Sequence, residues 1–237
     1  MKIRKDFAYI HRDHAIPVGL HWCWSQNAHL FPLRLEELWR SRAAVRLAGR
    51  CVAAMPREEL VLYLCAHEAH TGWFRLKWVC DIAELLREAG GIDVPRLVTR
   101  ARDLGSRRML AQGLLLVHHL LDTPLSPWMA GVMQQERRVS CLVQVATQAL
   151  LQDERYWTAQ APVATRPAQV RYRLALRASL KYKVYHVYFY SLWTDDWRLV
   201  RLPARLFPLY FVLRPFLGLV RRVRKRHTRC QEHRTAR

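Results

Sequence analysis

The chain has 237 residues, 51% of them apolar, with 39 basic and 19 acidic residues and a formal net charge of +20. So apolar a composition excludes a wholly disordered polypeptide, and the length suffices for one large domain or two small ones with a real core. Six scattered cysteines form no C-x-x-C pair, which argues against a disulfide framework and for a reducing, cytoplasmic setting.

The charge is unevenly placed. Residues 155–237 hold 19 basic and 3 acidic residues, against 20 and 16 in residues 1–154, so the basicity belongs to the last third. Only nine glycines and long stretches of 3.6-residue periodicity predict a mainly helical protein.

The opening MKIRKDFAYIHRDH is polar and lacks an apolar h-region, so no secretory leader is expected. Ile16 to Trp24 alternates Val18, Leu20 and Trp22 against Gly19, His21 and Cys23, which predicts a strand. A short helix is expected over Leu33–Ser41. Two apolar, partly β-branched runs around Gly49 suggest a hairpin or a bent strand over Ala44–Ala54.

The organising stretch follows, from Pro56 to Gly91. Pro56 suits a first helical position, and Glu58 and Glu59 suit the positive end of the helix dipole. Leu60, Leu64 and His67 share one face. Gly72 predicts a bend, and Leu76, Val79, Ala83 and Leu86 form the stripe of a second helix stopped by Gly90-Gly91. Asp93 is the expected N-cap of a helix to Leu104, and Ser106 that of a longer one to Leu121.

Ser126-Pro127 starts another helical region with Val139, Leu142, Val143, Ala146 and Leu150 on its apolar face. The segment 158–167 has the composition of an exposed loop, and residues 168–193 predict one basic, Tyr-rich helix. Residues 203–220 are strongly apolar but interrupted by Pro203, Pro208, Pro215, Arg205 and Arg214. A spanning helix needs about 20 predominantly apolar residues, so no transmembrane segment is expected there. The tail from Arg221 is basic, lacks aromatics and is expected to be disordered.

HEAHTGWFRLKWVCDIAELL resembles a motif of a family of bacterial nucleotidyltransferases, H-G-x-x-H-x-W-x-x-L-x-W-L-x-D-[IV]-A-x-L-L. His67, Trp73, Leu76, Trp78, Asp81, Ala83, Leu85 and Leu86 match in register. Glu68 stands where Gly is usual and Thr71 where the second His is usual, with His70 one residue early. VGLHW at 18–22, with His21, resembles the family's V-[DE]-L-H-W strand. LVRLPARLFPLYFVLRPFLGL at 199–219, with Arg214, is similar to its L-P-x-x-L-x-x-L-Y-x-x-L-R-P segment.

The resemblance implies a polymerase-β-like nucleotidyltransferase, an αβ domain followed by helices, in which paired aspartates of a D-x-D motif and a third acid hold Mg²⁺ on a nucleoside triphosphate. Such an in-line displacement at phosphorus is carried by the metal ions that clamp the attacking and leaving oxygens. This chain has no D-x-D, and Gly19 stands where the third acid is usual. It therefore resembles the C-terminal portion of such an enzyme, by natural truncation or a split reading frame. The expected fold is mainly α, with a β-strand or hairpin remnant of the αβ domain over 1–55, a helical domain over 56–220 and a basic tail over 221–237. No Mg²⁺ or nucleotide site is expected in the chain itself.

His67 and His70 lie three residues apart on one helix with Glu68 between them, but this is not H-E-x-x-H. A buried polar cluster outweighs a shared metal there. Asp81, in an apolar helix, is expected to be buried and paired with Arg75, Lys77 or His67, since a buried acid is costly alone. His21 has either a packing role or a place beside the lost active site. The basic end offers a polyanion surface at Arg221, Arg222, Arg224, Lys225 and Arg226, or a peripheral membrane contact, against the alternative that its aromatics pack and its arginines are solvated. A separately encoded catalytic half, or a second copy of the chain, is the expected protein partner.

Overall fold

The computed structural model describes residues 6–12, 15–21, 24, 27–88, 91–152, 157 and 165–190, and beyond them Val200, Pro203, Leu209 and Leu213. The fold is mainly helical, with nine helices and two small antiparallel hairpins among the described residues.

The first hairpin pairs β1 (Asp6–Ile10) with β2 (Pro17–His21), placing Tyr9 opposite Val18 and Phe7 opposite Leu20. β2 is the expected strand. β1 lies in a stretch that reads as polar, and only its partner reveals it. The second hairpin, β3 (Ala43–Leu47) with β4 (Arg50–Ala54), turns through Ala48 at φ 49° and Gly49 at φ 79°. Two consecutive left-handed residues match the right-handed twist of the flanking strands, which selects the hairpin over the bent strand. Helix α1 (Leu35–Arg40) lies between the hairpins in sequence.

The central pair is α2 (Arg57–Thr71) and α3 (Leu76–Arg87). Pro56 is the N-cap of α2 rather than its first helical residue. Val61, Leu62, Cys65, Ala66 and Ala69 are buried in α2, while Leu60, Leu64 and His67 are half-buried. The core face is thus turned one position from the expected stripe, because α2 packs on α3, α4 and α5 together. In α3, Val79, Ile82 and Ala83 are buried and Leu76 is exposed; the helix stops at Arg87, ahead of the glycines.

α4 (Val94–Asp103) begins as expected, with the Asp93 carboxylate accepting from the Arg96 N–H at 3.0 Å. α5 (Arg107–Leu121) follows Ser106, whose hydroxyl instead donates back to the Ala101 carbonyl at 3.4 Å. α5 is the hub of the fold: it touches α2, α3, α4, α6 and α7 and buries Leu110, Leu114, Leu116 and Val117. The region after Ser126 is two helices, α6 (Pro127–Gln135) and α7 (Val139–Leu151).

The basic stretch expected as one helix is also two, α8 (Arg166–Ala175) and α9 (Leu180–Tyr190). No Gly or Pro sits at the break. Tertiary donors take the carbonyls that a continuous helix would use: Tyr182 Oη donates to Arg173 O at 2.8 Å and Arg108 Nη1 to Ala175 O at 2.6 Å. Ser179 then caps α9, its hydroxyl accepting from the Tyr182 N–H at 3.4 Å.

Contacts divide the chain into two units, residues 1–183 and 184–237. The core just described belongs to the first. Among the described residues no helix is long and apolar enough to cross a membrane.

Candidate functional site

The family-like motif forms one polar-aromatic cluster at the α2–α3 turn. Gly72 at φ 90° and Trp73 at φ 60° reverse the chain, and the Glu68 carbonyl accepts from both of their N–H groups, at 2.9 and 3.0 Å. Trp73 is completely buried and its ring end rests near Gly113 of α5.

Glu68 is the unexpected member. Its side chain is 3% exposed, with Oε1 at 2.9 Å from His67 Nδ1 and Oε2 accepting from Thr71 Oγ1 at 3.3 Å. The Thr71 hydroxyl also lies 2.9 Å from the Glu68 carbonyl. Glu68 and Thr71, the two departures from the family motif, therefore touch each other. The His67 side chain is 30% exposed, with the Trp78 ring edge-on at 6.5 Å and Tyr63 at 5.7 Å. Tyr63 in turn meets Trp24 at 5.3 Å, Phe74 meets Trp78 at 4.8 Å, and the Arg75 guanidinium lies over Phe74 and Trp78.

This arrangement can orient one imidazole by a buried carboxylate among aromatic faces, a geometry suited to holding a proton or a planar group. The buried Cys65 beneath it is no nucleophile: burial, then the Glu68 charge, push its thiol far above the ordinary range.

Asp81 is not part of the cluster. Its side chain is 43% exposed, and its partner is Lys77, with Nζ at 3.8 Å and one helical turn away. The expectation of a buried acid fails because α3 turns this position away from the stripe of Val79, Ile82 and Ala83, so water solvates the charge. His21 is exposed at the end of β2. Among the described residues no three His, Cys, Asp or Glu side chains converge as a metal site would require. Arg214, Arg221, Arg222, Arg224, Lys225 and Arg226 lie outside the described residues.

Charges that read as solvated in the sequence turn out to be structural. Arg173 of α8 is buried, donates from Nε to the His70 carbonyl at 3.0 Å and lies over the Trp157 ring. Trp157 packs edge-on to Tyr172 at 5.1 Å, and Tyr172 shares hydrogen bonds with the buried Gln112 amide of α5. α8 is thereby clamped onto the end of α2. Burial raises both Tyr172 and Tyr182 above their ordinary value of 10.0 and lowers Arg173 to about 10.

The sign for the two phenols and the Cys65 thiol is the same. They stay neutral in the fold while the unfolded chain ionises from about pH 9 to 10, so their stabilisation is complete below that window and is lost above it. Arg173, lowered by burial, opposes this above about pH 10, as one group against three. The melting temperature should therefore fall between about pH 9 and 11, and Tyr172→Phe should flatten the fall. A melting temperature flat over that range in the parent chain would contradict the buried phenols.

The fold is mainly α, as expected for this chain, and its helical core carries the His67, Trp73 and Trp78 of the motif on which the nucleotidyltransferase resemblance rests. The chain belongs to the family described as uncharacterised nucleotidyltransferase, whose profile matches residues 2–122, from the first hairpin through α5. Neither a curated protein nor a solved structure matches it. The segment at 199–219 lies outside the family match.

Proposed function

We propose that this chain acts as the helical part of a nucleotidyltransferase whose metal-binding carboxylates come from outside these residues, so that alone it transfers no nucleotidyl group. The observation that carries this is the lack of any D-x-D pair in the sequence, with Gly19 at the third acid position of the family strand. With no acids to hold two magnesium ions, the attacking and leaving oxygens have no clamp. Titration of the purified chain with each nucleoside triphosphate plus Mg²⁺ should show no metal-dependent binding. Tight binding that EDTA abolishes would overturn the proposal.

A partner is favoured by the first hairpin. Tyr9, Ile10, Ile16, Val18 and Leu20 are all more than half exposed, up to 70% for Ile10, and neither hairpin pairs with a third strand among the described residues. An isolated two-stranded hairpin is marginal in water, and exposed apolar edges invite pairing. A separate catalytic half that extends this sheet would cover both. Its magnesium ions and triphosphate would then sit with the partner's acids, with His21 at the junction.

A further inference from the structure

The helices beyond the family match carry a cleft of their own. It lies between α7 and α8, has a volume of about 490 Å³ and is lined by Leu142, Val145, Tyr172, Gln169, Arg138 and Arg171, among others. That volume is within the usual range of about 300–1,000 Å³ for small-molecule sites. Its floor is apolar and aromatic, its wall carries amide groups, and its rim carries the guanidinium groups.

Charge selects the ligand. α7, α8 and α9 contain no Asp or Glu at all. Among the described residues the nearest acid in sequence, Glu136, is held by Arg108 at 3.1 Å; Asp153 and Glu154, after α7, lie outside the described residues. Arg138 and Arg171 are exposed and their side chains make no ion pair or hydrogen bond among the described residues. Both also border an adjoining open groove of about 750 Å³ along α8, whose wall adds Arg166 and the half-buried Lys183. Buried and structural cations elsewhere in this protein find acceptors, as Arg173 and Arg177 do on the His70 and Leu30 carbonyls. The Arg138 and Arg171 guanidinium groups find none among the described residues.

We propose that the α7–α8 cleft binds a small organic polyphosphate, its planar body against Leu142, Val145 and Tyr172 and its phosphates on Arg138 and Arg171. The forked guanidinium matches phosphate oxygens in pairs, and two such groups beside Lys183 suit a ligand with more than one phosphate. Among the described residues the cleft is lined by no carboxylate and its phosphate contacts are guanidinium groups, so the binding proposed there requires no divalent metal. It is independent of nucleotidyl transfer and stands whether or not a catalytic partner exists.

The test is calorimetric titration of the full chain in EDTA with three probes: ATP as planar body plus phosphates, adenosine as body alone, and tripolyphosphate as phosphates alone. ATP should bind at least about tenfold tighter than either part, since adenosine lacks the phosphates held by the guanidinium groups and tripolyphosphate lacks the planar body held by the apolar floor. Arg138→Gln with Arg171→Gln, both at exposed positions, should weaken ATP at least about tenfold while the melting temperature holds. Ala168→Trp, which fills the cleft from an exposed position of α8, should do the same without changing the charge. Tripolyphosphate binding as tightly as ATP, or ATP affinity indifferent to both variants, would overturn the proposal and leave only nonspecific anion attraction.

Discussion

Replacing Gly72 by Ala should destabilise the protein by about 3 kcal/mol. Two penalties coincide at this position. Gly72 ends α2 at φ 90°, where an L-residue costs about 1–2 kcal/mol through the clash of its Cβ with the following carbonyl. The Cβ would also lie 2.3, 2.4 and 2.7 Å from three ring atoms of Trp157. That indole cannot rotate a flexible tip away; it is buried, edge-on to Tyr172 and beneath the Arg173 guanidinium. Displacing it adds about 1–3 kcal/mol of overpacking.

Gly49 supplies the control, because it has φ 79° but nothing lies within 4 Å of the methyl that an alanine would add there. Gly49→Ala should therefore show the backbone penalty alone, about 1–2 kcal/mol. Urea unfolding of both variants separates the terms. If Gly72→Ala proves no worse than Gly49→Ala, the Trp157 ring is not seated on the α2 turn, and the clamp of α8 on the family motif fails with it.

Where local chemistry decides, the sequence was a sufficient guide. Asp93 caps α4, Ser126-Pro127 starts α6, Gly72 ends α2 and Gly49 turns the second hairpin, and each depends only on residues within a few positions. The misses share a different cause. The α8–α9 break is made by Arg108 and Tyr182 reaching in from other elements, while its own four residues contain no breaker. Arg173 reads as one more solvated cation, yet its acceptor is the His70 carbonyl, 103 positions away. Asp81 fails in the opposite direction, since apolar neighbours in sequence do not fix which way a helix turns a given position.

The candidate site shows both sides. His67, Trp73 and Trp78 stand out by motif, and they do gather at one turn. Their buried carboxylate, Glu68, reads as a departure from the motif, and only the fold shows that it faces Thr71, the other departure. A pairwise dependence of that kind is invisible when residues are scored one at a time.

The second large effect is expected at Arg100. Its Nη2 meets Glu37 of α1 at 2.8 Å and its Nε lies 3.4 Å from Glu59 Oε1, joining α1, α2 and α4 through one side chain. Glu59 is only 4% exposed in its side chain, and its second oxygen has no hydrogen-bond partner among the described residues. Removing the cation from such a pair costs about 3–5 kcal/mol, because the carboxylate stays buried without compensation. Arg96, at 3.5 Å from the same oxygen, keeps part of the field, so Arg100→Met should cost about 2–4 kcal/mol. Glu59→Gln removes the stranded charge, and the double variant should be more stable than Arg100→Met alone. That ordering distinguishes a buried charge from a lost packing contact: were the arginine stem the main contributor, adding Glu59→Gln would restore nothing. Denaturant unfolding of the three variants gives the coupling directly. A loss below about 0.5 kcal/mol for Arg100→Met would place the pair with screened surface ion pairs, contrary to the burial of Glu59.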